Sequence, residues 1–537
     1  MKFGIAKPLR RITVAAFLSL GATTAWAAPK GDLVVILPTL GAENWLQPFS
    51  GLSEMYATFP MYETLLISDP ATGLAIPGEG RLAENWEVAP DYKTYTFHIR
   101  KGVPFHGNNG EVTAHDVAYA FDLATRPGTK NSYESQLKAN IDRVEVVDDH
   151  TIVFHMKRPW RDFSGLVTEK AGALLVPSKA YIERVGLDVA AREPVGTGPF
   201  RFKSAQLGDS ISFEAVENHW RKEPRVQSVT IKAVPEPSTA LALLKTGAAH
   251  LMTISFDQLS EAEAAGLKIH ALERQNQTNI HLLGQYLKPA YDKSETPPWA
   301  QEDKDKAMKV RRALSLAIDR KEIAEFVLRG RGSAEGLCVA GFFPNNPGVD
   351  PTCETDPYDP DQAIALLKEA GYDGPEELKF TVSLAPHPNR PFNATILEAV
   401  AQQWANLGMD ITIEKTTWAN HSDLSGARKA TFAASYAAPY FVDPAALLNI
   451  YTSSTGRVSF TGESEEADKL LPAAIGALND VEYLETRKAL FEQQRAGLYS
   501  IPVVYGDLLF ALNPKLEIKL HAASVGFHNY ELMGFTD

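Results

Sequence analysis

PVGTGPF, Pro194 to Phe200, runs on as RFKSAQLGDSISFEAVENHWR to Arg221, and its role decides how the chain is divided. Gly196, Gly198, Pro194 and Pro199 stop any helix and leave a stiff, open turn. Arg201 to Phe213 then alternates apolar and polar side chains across a Gly208-Asp209 turn, the pattern of a β-hairpin. Either this is an ordinary turn before a hairpin, or the chain here returns to a sheet that it left long before.

At 537 residues the chain exceeds one hydrophobic core and calls for two or three domains. Hydrophobic residues at 45% and charged residues at 22% are globular values. Beyond the first residues no apolar run approaches a membrane span. The N-terminus reads as an export signal: Lys2, Lys7, Arg10 and Arg11, an apolar run Ile12 to Gly21, then Ala25-Trp26-Ala27 at a cleavage site. The expected mature chain starts near Ala28 and is periplasmic. Residues 1–27 carry basic but no acidic side chains, so the remainder is more acidic than the full chain's net −13. An acidic surface argues against nucleic acid or an anionic membrane as partner. The two cysteines, Cys338 and Cys353, either staple a Gly/Pro-rich loop as a disulfide or stay free. A closed loop of that size is worth about 3 kcal/mol in the chain-entropy picture.

Along the chain, DLVVILP (Asp32 to Pro38) reads as a buried strand. The aromatic segment with Trp45, Tyr56 and Phe59 either lines a cleft or pins a loop. Residues 81–125 give a strand around Trp86, a period-2 strand (Tyr95, Phe97, Ile99), and a helix opened by Thr113 with Asp116 three residues on. A second hairpin spans Ile141 to Met156, completing an α+β unit before the PVGTGPF turn. A strand (Val229 to Val234), a helix capped by Ser238, and a strand (His250 to Ile254) form a βαβ unit. Thr278 to Gly284 is a further strand. After a polar, Pro-rich connection near 285 come the helix through Val310, Leu314 and Ala317 and a second α/β set. IPVVYGDLLFAL (Ile501 to Leu512) returns to strand.

Catalytic motifs are scarce. The thirteen histidines are scattered, and none joins acidic residues at metal-ligand spacing, so no cofactor or metal is expected. Ser135, Lys138 and Lys245 fit the SxxK and KTG pair of penicillin-recognising serine enzymes. The third element of that set is missing, and Gly247 has a simpler role as a helix C-cap. A secreted serine hydrolase is therefore only the alternative to a binding protein without catalytic activity.

MYETL, LAENWEVAPDYKTYTFHIRKGVPFH, VTAHDVAYAF, PVGTGPF, VRRALSLAIDRKEI, YDPDQAIALLKEAGY and Asp443-Pro444 follow one another in the order seen in one family. Together they make the chain resemble the family 5 (peptide/nickel-type) extracytoplasmic solute-binding proteins of bacterial ABC importers. The resemblance implies an α/β, two-lobed periplasmic binding protein fold with the ligand cleft between the lobes. Residues 28–66, 195–284 and 500–537 would form the first lobe, 67–194 an inserted subdomain on it, and 285–499 the second lobe. PVGTGPF would return the chain to the first lobe, and the chain would cross between lobes near 285 and 501. A monomer, a small-molecule ligand, and a membrane permease with its ATPase are the implied partners.

The same resemblance nominates ligand-binding residues. In peptide-binding members an aspartate three residues before an acidic-Pro pair grips the peptide ammonium; here the pair is Asp443-Pro444 and Tyr440 stands at that position. Without the counter-ion an ammonium would be costly to bury. SYAAPYFVDP is similar to the aromatic version in nickel-chelate binders and places Tyr436 and Tyr440 at the cleft. Trp418 matches a cavity-lining aromatic at the end of strand DITIEKTTW, and Glu54 and Tyr56 lie in an extended segment that touches ligand. The acidic turn usual after the KTG helix is GAAHL, with His250 at the acidic position. The implied ligand is a polar organic solute: peptide-like, glycoside, opine-like or metal chelate.

Overall fold

The computed structural model describes residues 29–46, 55–69, 75–131, 133–342, 346, 348–385, 392–439, 448, 452–454, 456, 459–518 and 529–536. Short apolar or alternating runs form most of its strands. In chain order these are β1 (Asp32–Leu37), β2 (Leu66–Ser68), β3 (Ala75–Gly80), β4 (Ala83–Val88), β5 (Thr94–Ile99), β6 (Ile141–Asp148) and β7 (Thr151–Met156). They continue as β8 (Phe200–Gln206), β9 (Ser210–Ala215), β10 (Ser228–Ala233), β11 (Leu251–Ile254), β12 (Lys268–Leu282) and β13 (Gly332–Ser333). After these come β14 (Lys379–Leu384), β15 (Asp410–Lys415), β16 (Ala433–Pro439) and β17 (Ser500–Leu512).

One large sheet runs β15-β14-β16-β12-β17-β11-β1-β10-β9-β8. β1 lies between β10 and β11 and parallel to both, with the helix Pro237–Lys245 as the crossover. That helix begins at Pro237 after Glu236, so Ser238 lies inside it and is not its cap. Proline is well placed there because the first helical turn needs no partner for its amide.

β12 and β17 are the long members, 15 and 13 residues, and they pair from Lys268↔Leu512 to His281↔Ser500. The strand expected at Thr278–Gly284 therefore starts at Lys268. Its ladder is interrupted between Leu272 and Asn276, where Arg274 adopts a left-handed φ of 52°. Of β17, β11 pairs with Leu509–Leu512 alone, and of β12, β16 pairs with Asn276–Leu282 alone. The sheet thus has two halves, each continuing from one end of the β12–β17 pair, in a two-lobed fold.

A separate sheet, β4-β5-β7-β6, closes over Phe97, Phe154 and Phe163. Its helix Ala114–Thr125 opens with the Thr113–Asp116 capping box. PVGTGPF leads from this unit into β8. Added Cβ atoms on Gly196 and Gly198 would lie 2.1 Å from the Met61 carbonyl oxygen and 2.3 Å from that of Pro60. These glycines therefore permit backbone to lie on backbone. The Gly198 and Phe200 amides donate to the Met61 and Pro60 carbonyls at 2.8 and 3.1 Å. His106 of the separate unit reaches the Gly198 carbonyl at 2.8 Å, and Trp220 Nε1 donates to Thr197.

The faces of the large sheet differ. One is covered by helices Pro237–Lys245, Lys304–Leu316 and Phe392–Asn406, packed on Ile36, Ile280 and Leu282. The other buries Leu33, Val35 and Phe59 in the first half and Phe432, Ala434 and Phe460 in the second.

Candidate functional site

Alternation along β12 sends Thr278, Ile280 and Leu282 to the helix-covered face, where Thr278 Oγ1 lies 3.4 Å from Asn393 Oδ1. Gln277, Asn279 and His281 therefore project to the other side. Gln277 Nε2 donates to the Val339 and Phe342 carbonyls at 3.1 and 3.2 Å, and its Oε1 accepts the Gly341 amide at 2.6 Å. This fastens the loop in which Cys338 and Cys353 form a disulfide, their Cα atoms 5.5 Å apart.

Further along the same face, Asn279 pairs with Tyr436 of β16, and the His281 ring lies 5.2 Å from the Tyr436 ring. Trp418 stacks on Tyr436 at 5.9 Å and 23°, and on His421 at 5.2 Å and 15°. Phe460 is within 5.7 Å of Trp418, 5.6 Å of Tyr436 and 5.6 Å of His421. Phe432 meets His421 edge-on at 5.3 Å.

Local sequence explains the position of Trp418. Thr417 Oγ1 accepts the Asn420 amide and caps a helix, Trp418–Gly426, so Trp418 opens a helix where a strand end was expected. It therefore leans back over the C-terminal edge of β15 and β16, and His421 and Ser425 follow one turn apart. In open α/β sheets the C-terminal strand edge is where ligands sit.

Electrostatically the cluster is quiet. Burial holds the His281 imidazole down to about 3 and His421 to about 4, so both are neutral at ordinary pH. Among the described residues the buried Nδ1 of each has no partner, nor has the buried Oγ of Ser425 or Oδ1 of Asn279. Such groups are inward-facing hydrogen-bonding capacity. Among the described residues no three potential metal ligands come together.

Of the residues nominated from sequence, Trp418 and Tyr436 meet directly. Tyr56 lies elsewhere, half-buried against the first-half core, its carbonyl accepting from Tyr530 at 3.3 Å. Glu54, Tyr440 and Asp443 lie outside the described residues. His281, His421 and Phe460 were not anticipated; only the alternation in TNIHLLG, putting His281 on the side of Asn279, pointed toward one of them. His250 accepts the Val34 amide at 2.9 Å, a bond a carboxylate at that position would also make.

The serine-hydrolase set is not assembled. Ser135 and Lys138 share the helix Glu134–Asn140, where Lys138 is held by Glu134 at 2.6 Å. Lys245, on the crossover helix of the large sheet, is held by Glu261 at 2.9 Å. Gly247, with φ 75°, follows the end of that helix.

The model for bacterial extracellular solute-binding proteins, family 5, matches residues 79–459. A dipeptide-binding protein of Escherichia coli K12 is 30% identical over 403 residues, 69% of each chain. Heme-binding protein A of Haemophilus influenzae is 26% identical over 472 residues, 82% of this chain and 81% of the other. Among solved structures, the binding protein AgaA of A. tumefaciens R10, in complex with agropinic acid, superposes with a TM-score of 0.76 at 18% identity, covering 94% of this chain and 99% of that one. With the match running through both halves of the sheet and the separate unit, the chain belongs to the bacterial extracellular solute-binding proteins, family 5.

Proposed function

We propose that the protein captures a polar organic solute in the periplasm on the aromatic face of its second lobe and passes it to a membrane permease with its ATPase, without transforming it. The observation that carries this is the Trp418–Tyr436–Phe460 cluster, backed by two imidazoles that burial keeps neutral. Rings and neutral hydrogen-bonding groups recognise flat or hydroxylated faces of a ligand, and closure of the two lobes excludes water from them. Relatives named for a dipeptide, for heme and for agropinic acid show how many ligands this fold accommodates. With Tyr440 where peptide binders carry an aspartate, a glycoside, an opine-like compound, a blocked peptide or a metal chelate suits the site better than a free peptide.

In this reading the lobes divide within β12 and β17, near the break between Leu272 and Asn276, with 67–194 as a subdomain of the first lobe. The export signal and a monomeric state belong to the same proposal. Among the described residues no helix is long and apolar enough to cross a membrane.

A thermal-shift screen of the mature chain against dipeptides, oligopeptides, glycosides, opines and nickel chelates tests it. A ligand at a hundred times its Kd adds about 2.7 kcal/mol of stability. Strong stabilisation by free-amino peptides would overturn the reading of Tyr440.

A further inference from the structure

The unit within residues 67–194 is fastened to the first half of the sheet by backbone and buried charge. The Arg81 and Val176 amides donate to the Leu65 and Glu63 carbonyls at 2.9 and 3.2 Å. The Glu63 carboxylate is fully buried between Arg81 at 2.8 Å and Arg221 at 2.9 Å.

Its contact with the second half is of another kind. There the loop from Pro159 to Phe163 meets the helices Glu465–Ile475 and Asp480–Gly497. The loop is held from behind. The Tyr95 hydroxyl donates to the Trp160 carbonyl at 2.7 Å and lies 3.0 Å from that of Arg161, and the Trp160 amide donates to the Tyr92 carbonyl at 3.1 Å.

Across the joint, rings and cations alternate. Arg161 lies 5.4 Å from the Tyr92 ring and 4.6 Å from that of Tyr483, and Arg487 lies 3.3 Å from the Tyr483 ring. Cations over tyrosine faces are attracted by the ring quadrupole, more strongly away from water. Arg161 also pairs with Asp480, and its amide donates to the Ile475 carbonyl at 3.4 Å. At the centre Arg487 Nη2 donates to Asp162 Oδ2 at 2.8 Å, while Nη1 donates to the Ala474 carbonyl. The Arg487 side chain is fully buried and that of Asp162 is 17% exposed. Asp480 is 84% exposed, so water and salt screen its pairing with Arg161.

That asymmetry decides which pair matters. Arg487 has Ala474 and Tyr483 beside it on the second half, but its carboxylate partner is carried by the unit fastened to the first. Parting the two hydrates both ions, and shutting the joint desolvates both together. Such an exchange is near balance while the pair is intact and strongly unfavourable once one partner is missing.

We propose that Asp162 and Arg487 are the latch of the shut form: they meet when the lobes close over the solute, and release of the solute requires their separation. Both are positioning residues that act through closure and do not touch the solute. The proposal rests on the two-lobed capture reading, with residues 67–194 moving with the first lobe.

Spin labels at the exposed positions Lys157 and Glu485, introduced as Lys157→Cys and Glu485→Cys, lie on either side of the joint. Double electron–electron resonance on the solute-free mature chain reads their separation. The parent chain should show a short-distance population, and Asp162→Asn, which strands the buried Arg487, should cut the ratio of short to long distances about tenfold or more. Asp162→Leu combined with Arg487→Met removes both charges and should restore the short population. Asp480→Asn, at the exposed flank, should change the ratio by about twofold at most. If Asp162→Asn does not fold, Arg487→Lys, which keeps the charge but loses the fork spanning Asp162 and Ala474, should shift the ratio in the same direction. No short population in the parent, an unchanged ratio in Asp162→Asn, an opened chain that the double variant does not restore, or an equal effect of Asp480→Asn overturns the latch. The distances are read without solute, so a solute screen that finds no ligand leaves them standing. A solute that binds beside unchanged distances overturns the latch alone.

Discussion

The two sides of β12 are built from one strand and do different work. Thr278, Ile280 and Leu282 meet helices, and Ile280 and Leu282 are fully buried among aliphatic neighbours. Gln277 meets a loop and His281 the rings of Tyr436 and Phe460, and among the described residues the buried Asn279 Oδ1 and His281 Nδ1 have no partner. An alternating strand lets both requirements be met, because a change on one face need not disturb the other. Stability should therefore respond most to the aliphatic face, and recognition to the aromatic one.

The sharpest test of that division is Ile280→Ala. Deleting a fully buried branched side chain beneath a helix costs about 2–5 kcal/mol through lost transfer energy and the cavity left behind. Urea denaturation should show this loss, while the folded fraction binds the solute found by the screen with unchanged affinity. A large drop in that affinity would mean the faces are not independent.

Gln277→Ala asks whether the polar face is uniform. Three backbone partners at Val339, Gly341 and Phe342 would be stranded at a buried position. A loss of about 1–3 kcal/mol is expected from unsatisfied groups, again by urea denaturation. If stability barely changes, water replaces the amide and the disulfide loop is held by its other contacts.

Trp418→Ala should do the reverse. Trp418 is half-buried and stacks on Tyr436 and His421, so its removal should weaken solute binding by tenfold or more, about 1.4 kcal/mol. The expected change in unfolding free energy is smaller than for Ile280→Ala. Calorimetric titration of the screened solute decides it, and an unaltered Kd would remove Trp418 from the site.

How much of this was legible beforehand follows the range of the interactions. The Thr113–Asp116 box, the β8–β9 hairpin and the β6–β7 hairpin are set by residues a few positions apart, and their residues named them. The length of β12 was not legible, because KIHALERQ at its start is polar and irregular and is extended only by pairing with β17, far along the chain. Trp418 was singled out by resemblance, but its setting was misread by the few residues over which Thr417 caps a helix. His281 and His421 are 140 positions apart, and nothing local to either signals the other. Family motifs carried the architecture and the rings of Trp418 and Tyr436, while Phe460 and the two neutral imidazoles came only from packing.

That neutrality gives the smallest expected effect and a test specific to one face. His281 and His421 are held by burial at about 3 and about 4, against an ordinary 6.5. Below about pH 6.5 the unfolded chain therefore takes up protons that the folded chain refuses, and folding loses ground as pH falls. The contribution is full above about 6.5 and is lost progressively as pH drops toward the folded values, with about 1 kcal/mol gone between pH 7 and pH 6 for the pair together. His106 is also pushed down, to about 4, and His219 is lowered by burial, so both add a background slope. The comparison must therefore be with the double variant His281→Gln, His421→Gln, which keeps that background. Urea denaturation across pH 7 to 5 should show a shallower slope in the variant. Equal slopes would mean that the two imidazoles are hydrated in solution and that the aromatic face is wetter, and better suited to charged ligands, than its packing indicates.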